Sequence, residues 1–462
     1  MSGLVVASYR GPASFAVEPD GTVAARPAAG GLAPSLLSAL EGAGAAWVAV
    51  ATGAADRRAA AEGAAAGVAG GTLVRLVELD PEVQAAAYRV VANGTLWLLH
   101  HGLFDRVREP VCDRAWHAAW DGFRELNRVI ADAVASEADD GATVVVNDYH
   151  LVLVGRYLAE RRPDLRTVHF HHTPFCDAEE LRVLPRAVAG ELIAGLSSFG
   201  ACGFHTERWA ARFRACASSA GMDPPPVFSA PLGPDAEGLR AIAETPGCAE
   251  RRAALLDRLG GRALLLRSDR VEMAKNLVRG FLAYEELLER RPELRGRVTF
   301  LARTYPSRED VPGYLAYRRE VEAVAERVNE RFGTGDHLPV ELEVADDLLS
   351  SVAALSCYDV LLVNPVRDGM NLVAKEGPVV NRRHGVVVLS PEAGAFEELG
   401  PQVVAVEPFD VSGTAATLER ALEMPEDERA RRHEALERLA GARPPRRWLD
   451  DVVARARPPR SR

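Results

Sequence analysis

Short apolar runs alternate with longer amphipathic stretches along nearly the whole chain. Runs at Leu4–Ser8, Trp47–Ala51, Leu73–Leu79, Thr143–Asn147, Thr167–His171 and Ala201–Phe204 read as strands. A second series follows at Leu264–Arg267, Val298–Leu301, Val340–Val344, Val360–Asn364, Val386–Leu389 and Val403–Val406. These runs are rich in Val and Leu and mostly do not alternate with polar residues, the pattern of parallel strands buried on both faces. Helical spacing lies between them: Trp116, Trp120, Phe123, Asn127 and Ile130 recur at steps of three or four, as do Leu277, Phe281, Tyr284 and Leu288. This β-then-α alternation predicts an α/β protein with doubly wound parallel sheets that bind ligands outside the carboxyl ends of their strands.

A proline cluster, Pro224-Pro225-Pro226 through Pro231 and Pro234, interrupts the pattern near mid-chain. Proline fixes its backbone and lacks an amide donor, so the cluster continues neither a helix nor a central strand. The predicted division is a first domain over 1–230, a second over 231–445, and a terminal helix and tail over 446–462, with the two large domains facing across a cleft. The Ala/Gly-rich stretch Ala59–Gly71 reads as a surface helix and loop, and Arg455–Arg462 as a frayed tail.

Composition narrows the field of partners. The 462 residues are 48% hydrophobic and 26% charged, and 55 Lys+Arg against 65 Asp+Glu leave a net charge of −10. An acidic surface argues against a nucleic-acid or anionic-membrane binder, since both need a basic face, but it leaves room for a local basic pocket. No apolar run approaches the ~18–20 residues that span a bilayer. Leu4-Val5-Val6-Ala7 before Arg10 is too short for a signal-peptide core. The six cysteines form no C-x-x-C pair, so a cytoplasmic protein without a metal or disulfide framework is expected.

Two clusters in the second half carry chemistry. Arg367-Asp368-Gly369-Met370-Asn371-Leu372-Val373-Ala374-Lys375-Glu376 follows the strand at Val360–Asn364. Asp368 would stand at a strand's carboxyl end and Asn371–Val373 at the start of a helix, where backbone amides and the positive end of the helix dipole suit a diphosphate. Glu376, about a turn further on, is placed to accept two vicinal ribose hydroxyls. The competing local reading is a plain helix cap at Asp368 and a solvated Glu376. Arg270-Val271-Glu272-Met273-Ala274-Lys275-Asn276 follows the strand ending near Ser268. An Arg and a Lys at a strand-to-helix transition can clamp two phosphates without a metal.

In the first half, Leu4–Ser8 runs into Tyr9-Arg10-Gly11-Pro12, and Gly30-Gly31 precedes a helix where a phosphate could approach the backbone. Asn147-Asp148-Tyr149-His150 and His171-His172-Thr173-Pro174-Phe175 each close a strand, so both are expected at the carboxyl edge of the sheet. Neither has zinc-ligand spacing.

Taken together, these clusters resemble the trehalose-6-phosphate synthase family, retaining glucosyltransferases of GT-B architecture, over roughly residues 3–450. The most specific matches are Arg367–Glu376, Arg270 with Lys275, Pro306-Ser307-Arg308, Gly203-Phe204-His205-Thr206, and Tyr88 with Trp97. The resemblance implies two Rossmann-like domains, an acceptor domain followed by a nucleotide-sugar domain. It assigns the donor diphosphate to Arg270 and Lys275, the ribose to Glu376, and the donor glucose to Asp368 and His172. Gly369, Met370, the amides of Asn371, Leu372 and Val373, and the Gly30-Gly31 loop would complete the donor site. Arg10, Tyr88, Trp97 and Arg308 would hold the phosphorylated acceptor, and Asp148 its sugar hydroxyls. The chain departs from the family pattern at Tyr9 (usually Asn), Asn147 (usually His), Leu98-Leu99-His100-His101 (usually aromatic) and Glu272-Met273-Ala274-Lys275-Asn276 (usually Asp-Tyr-Ser-Lys-Gly).

The reaction so implied is glucose transfer from a nucleoside-diphosphate glucose to glucose 6-phosphate, giving trehalose 6-phosphate. No cofactor or obligatory metal is implied, and a homo-oligomer is open. The chain should stop at the phosphorylated product, since no phosphatase domain follows. Its arginine- and alanine-heavy composition looks actinobacterial, and some relatives from such sources prefer GDP-glucose, so the expectation leans to GDP-glucose over UDP-glucose. Rival readings are a pseudo-glycosyltransferase with a cyclitol phosphate acceptor and a catalytically silent sugar-phosphate sensor. A dinucleotide-dependent oxidoreductase lacks the G-x-G-x-x-G that should follow the first strand.

Overall fold

The computed structural model describes residues 2–27, 32–62, 66–69 and 71–459. Contacts divide the chain into one unit of Met1–Leu232 with Pro445–Arg462, and a second of Gly233–Pro444.

The first unit carries β1 (Ser2–Ala7), β2 (Ala13–Val17), β3 (Val23–Pro27), β4 (Ala46–Val50), β5 (Ala66–Ala69), β6 (Thr72–Val77), β7 (Ala138–Asn147), β8 (Arg166–His171), β9 (Cys202–Phe204) and β10 (Val227–Ser229). Its main sheet has the order β10-β9-β8-β7-β1-β4-β6-β5. Every neighbouring pair is parallel except β5 with β6. Strand order reverses between β1 and β7, so the turns after Ala7 and Asn147 flank the switch point at which doubly wound sheets bind ligands.

The second unit carries β11 (Ala263–Arg270), β12 (Val298–Tyr305), β13 (Val340–Val344), β14 (Val360–Val363), β15 (Val386–Leu389) and β16 (Val404–Ala405), ordered β13-β12-β11-β14-β15-β16 and parallel throughout. Its switch point lies between β11 and β14. Successive residues of one strand feed opposite faces: Leu264 and Leu266 belong to one core with Leu361 and Val387, while Leu265 belongs to the other with Val360 and Val386. That two-sided burial explains why these strands read as unbroken apolar runs. The two predicted amphipathic stretches are helices Arg114–Glu137 and Leu277–Arg290, and all nine marker residues are buried.

Three sequence expectations need correction. Ala59–Gly71 is not only helix and loop, because Ala66–Ala69 pairs antiparallel with the open edge of β6. A run of Ala and Gly carries no side-chain periodicity that would reveal such an edge strand. The hairpin β2–β3 is absent from the predicted strands although Asp20-Gly21 marks its turn, with Gly21 at φ 82°. Arg455–Pro459 is not frayed: Thr167 N donates to Arg457 O at 2.7 Å and the two residues form an antiparallel bridge. The preceding helix Pro445–Val453 buries Trp448 edge-on against Phe170 at 4.9 Å, which anchors the segment. Among the described residues, no helix is long and apolar enough to cross a membrane.

Gly200 is what lets the terminal segment lie flush on the first unit, since a Cβ there would stand 1.9 Å from Arg457 O. Gly200→Ala should therefore lower stability by about 1–3 kcal/mol, the usual result of overpacking a close contact. Urea unfolding checks this, and an unchanged midpoint would mean that the segment contributes no packing.

Candidate active site

The second unit builds its site around the switch point. Arg267 lies in β11 with its guanidinium fully buried, and its Nη2 donates to Asp269 Oδ2 at 3.1 Å, Asn364 Oδ1 at 3.2 Å and Lys275 O at 2.7 Å. The end of β11, the turn that follows it and the end of β14 are thereby tied to one side chain. Asn276, at φ 60°, adds a second tie by donating from Nδ2 to Asn364 O at 3.0 Å. The turn Met273–Lys275 is therefore held against the end of β14, and Lys275 Nζ donates to Asp368 Oδ2 at 2.6 Å. Burial pulls the Lys275 ammonium down, but Asp368 and Asp269 outweigh it and raise it above the usual lysine range.

Asp368 is in turn fixed from its backbone, with its N–H donating to Glu392 O at 3.0 Å and its carbonyl accepting from Gly394 N at 3.1 Å. Asn371, at φ 69°, donates from Nδ2 to Asp368 Oδ2 at 3.1 Å and accepts Ala374 N on Oδ1 at 3.3 Å. It is thus both a ligand of the carboxylate and a cap on the helix Val373–Val380. The amides of Leu372 and Val373 stand at that helix's N-terminus, the positive end of its dipole. Glu376 is half-buried one turn in, where burial raises its carboxyl to about 7 against the pull of Lys275. Arg270, Lys275, Asp368 and Glu376 are thus brought to one switch point, as expected. The sequence reading missed Arg267 and Asp269. Their signal was two opposite charges inside an apolar strand, tolerable only if paired.

In the first unit, Asp148 follows β7 at φ 69°, a strained backbone that persists only where its surroundings fix it. Its N–H donates to Phe170 O at 2.8 Å, and its Oδ1 accepts the N–H of His172 at 3.2 Å and of Thr173 at 3.3 Å. Asn147 Nδ2 donates to Ala7 O at 3.1 Å, which turns its Oδ1 toward His172 Nε2 at 2.9 Å. His172 therefore carries its proton on Nε2, and its Nδ1 faces His205 Nε2 at 3.2 Å. Burial first, then His205 and His169, hold the ring well below the usual histidine range. With both nitrogens engaged, the ring is neutral and held in a fixed orientation just after β8.

The predicted acceptor residues also assemble in part. Tyr88 stacks on Tyr9 with centroids 4.6 Å apart, Tyr9 stacks on His150 at 4.9 Å, and Arg10 Nη2 donates to the Tyr88 hydroxyl at 3.1 Å. Trp97 is only 2% exposed and stacks on His101 at 4.1 Å, so most of its surface is packed inside the first unit. Gly30 and Gly31 lie outside the described residues.

Tyr88 sits on a π-helix, Ala86–Leu96, that the sequence reading did not foresee. Backbone amides of a π-helix reach back five residues rather than four, so the turn is wider. Residues nine apart, such as Tyr88 and Trp97, then return to nearly the same side, whereas 3.6 residues per turn would set them on opposite sides. Side chains follow the same five-residue step: Thr95 Oγ1 donates to Val90 O at 2.8 Å and Asn93 Nδ2 to Tyr88 O at 3.0 Å. Tyr149 and Trp116 lock these two from outside, donating to Asn93 Oδ1 at 2.8 Å and to Thr95 Oγ1 at 3.0 Å.

Comparison with known proteins gives the arrangement a setting. The family model "Glycosyltransferase family 20" matches residues 3–457. The chain is 32% identical over 372 residues, 77% of its own length and 39% of the partner's, to "Alpha,alpha-trehalose-phosphate synthase [UDP-forming] 1" of Arabidopsis thaliana. It therefore spans about two fifths of that relative. Among solved structures it resembles the E. coli trehalose-6-phosphate protein bound with UDP-2-fluoro glucose, at TM-score 0.85 and 28% identity, covering 99% of this chain and 100% of that one. It also resembles the UDP-forming alpha,alpha-trehalose-phosphate synthase of Burkholderia xenovorans in complex with glucose-6-phosphate, at TM-score 0.85 and 27% identity, covering 98% and 99%. The two-unit α/β architecture expected from the sequence is the one shared with these structures.

Gly94→Ala separates helix propensity from π geometry. Ala is favoured over Gly in a helix by about 1 kcal/mol, but a Cβ at Gly94 would lie 2.7 Å from Arg89 O, five residues back. The clash should win, giving a net loss of about 1–3 kcal/mol in chemical denaturation. A gain in stability would show that the segment relaxes to an α-helix.

Proposed function

We propose that this chain, which belongs to glycosyltransferase family 20, transfers glucose from UDP-glucose to glucose 6-phosphate and releases α,α-trehalose 6-phosphate. The observation that carries this reading is the meeting of Arg270, Lys275, Asp368, Glu376 and a helix N-terminus at the switch point of one parallel sheet. UDP-glucose takes the place of the GDP-glucose expected from composition, because the family relatives are named as UDP-forming and one structural neighbour holds a UDP-sugar analogue.

As the bond between the anomeric carbon and the diphosphate breaks, negative charge grows on the leaving oxygen. Arg270, Lys275 and the amides of Asn371, Leu372 and Val373 meet that charge with groups already in place, the electrostatic contribution that weighs most in many enzymes. Gly369 and Met370 contribute backbone at the same loop, Glu376 accepts the ribose hydroxyls, and Asp368, oriented by Lys275 and Asn371, accepts from the glucose hydroxyls. On the acceptor, Arg10, Tyr88, Trp97 and Arg308 hold the phosphorylated sugar and Asp148 accepts from its hydroxyls, while His172 is a neutral, fixed wall beside the donor glucose. The acceptor hydroxyl attacks from the face the diphosphate leaves, its proton passes to the departing phosphate oxygen, and configuration is retained without a carboxylate nucleophile. Side-chain cations and helix amides do the work of a divalent ion, so none is required.

Incubation with UDP-glucose and glucose 6-phosphate, with product identified by NMR, should give the disaccharide phosphate, and chelator should leave most activity. Lys275→Ala should lower kcat on the order of 10²–10³-fold, the loss typical of removing one preorganised donor to developing charge. Transfer only to a cyclitol phosphate, or binding without turnover, would overturn the reading.

Donor binding should also depend on pH through Glu376. Burial raises its carboxyl to about 7, so below that pH it takes up a proton and accepts ribose hydroxyls less well. The KM for UDP-glucose should rise as pH falls through 7 and stay level above it. Glu376→Gln should flatten that profile, and an unchanged profile would remove Glu376 from the ribose.

A further inference from the structure

Glu272 lies between two arginines to which the reading above gives different phosphates: Arg270 for the donor diphosphate and Arg308 for the acceptor. Its side chain is 1% exposed. One oxygen, Oε1, accepts from Ser307 Oγ at 2.7 Å and from Arg308 Nη1 at 3.1 Å, and it stands 3.2 Å from Arg270 Nε. The carboxylate therefore ties the loop after β11 to the loop after β12, whose strands are neighbours in the sheet. Arg308, at φ 48°, is held from its other side by the Tyr314 hydroxyl, which accepts its Nη1 at 2.8 Å.

We propose that Glu272 is a built-in counter-anion and positioning residue: it fixes both arginines in direction and restrains their hold on phosphate before reaction. The inference rests on the functional reading above. Four cations (Arg267, Arg270, Lys275 and Arg308) here face the carboxylates of Asp269, Glu272 and Asp368, with the carboxyl of Glu376 beside Lys275. Burial pushes the Glu272 carboxyl up, but Arg270, Arg308 and Lys275 outweigh it and bring it down to about 2, so it is an anion at neutral pH.

Removing that charge has two opposed consequences. Bound phosphate is attracted more strongly, because a like charge nearby is gone. The two guanidiniums, which already repel one another, lose the acceptor that sets their direction. Tighter ground-state binding without matching stabilisation of the transition state lowers turnover and slows nucleotide release.

The test is Glu272→Gln, with UDP and glucose 6-phosphate binding followed by calorimetry and turnover measured separately. UDP should bind about tenfold more tightly, as for loss of a nearby like charge, while kcat falls at least about tenfold. Glu272→Asp, which keeps the charge on a shorter stem, should leave UDP affinity within about twofold and kcat several-fold below wild type. A carboxylate with a merely structural role would lower the thermal midpoint and leave UDP affinity of the folded protein unchanged. That result, or weakened UDP binding, overturns the proposal. Should the Gln variant fail to fold, Glu272→Asp decides: a shift in UDP affinity of about tenfold overturns it. Wild-type protein that binds neither UDP nor glucose 6-phosphate would instead overturn the functional reading, and the Glu272 inference with it.

Discussion

The chemistry of the second unit depends on one guanidinium that has no access to water. Arg267 is fully buried inside a parallel strand, and an unpaired charge in that position would cost several kcal/mol. Its satisfaction requires Asp269, the side chain of Asn364 and the carbonyl of Lys275 to converge on it. The loop bearing Lys275 and the strand end leading to Asp368 thus stay together because Arg267 must be paired. The ion pair Lys275–Asp368 follows from this arrangement. Ordering two long side chains at a surface has little net benefit, whereas here the scaffold beneath has already fixed both ends.

The first unit solves a related problem with neutral groups. Ala7 and Asn147 end neighbouring strands, and the amide of Asn147 bridges them to His172. Because its Nδ2 is committed to a backbone carbonyl, the tautomer of His172 is set by the sheet. A row of buried histidines continues beneath: His169 is brought down to about 3 by burial, and His171 well below the usual range by burial and its histidine neighbours. Neutral imidazoles tolerate that environment and protonated ones do not, so this region behaves as aromatic packing near neutral pH. Trp448, from the far end of the chain, closes it against Phe170 and His172.

These two designs suit the proposed division of labour. A donor diphosphate leaves as an anion, and the site proposed for it is a lattice of alternating charges in which each cation is held by a carboxylate. Acceptor sugar hydroxyls call for directional, neutral or singly charged partners, and the first unit offers Asp148, the Arg10–Tyr88 pair and stacked rings. The π-helix belongs to the same logic. It places an aromatic residue at each end of a widened turn, and buried hydrogen bonds from Tyr149 and Trp116 keep that turn from relaxing.

The fold class was legible in sequence because a parallel strand buried on both faces leaves an unbroken apolar run, and an amphipathic helix leaves a 3.6-residue rhythm. Both signals are local. The donor cluster was legible for a related reason: Arg270, Lys275, Asp368 and Glu376 lie beside strand ends that alternation alone places at one edge of a sheet. Other features were not legible. Ala66–Ala69 becomes a strand only because β6 has an open edge, and Arg457 is ordered only because Thr167 has an amide to give. The π-helical register of Ala86–Leu96 needs partners from two distant segments. The direction of His172's proton, the pairing of Arg267 and the bridging place of Glu272 likewise rest on atoms remote in sequence. Sequence by itself determined which residues could carry the chemistry and at which strand ends they stand. Tertiary structure alone decided which of them are paired, in which tautomer and at what charge, because burial and hydrogen bonding depend on neighbours that only the folded chain brings together.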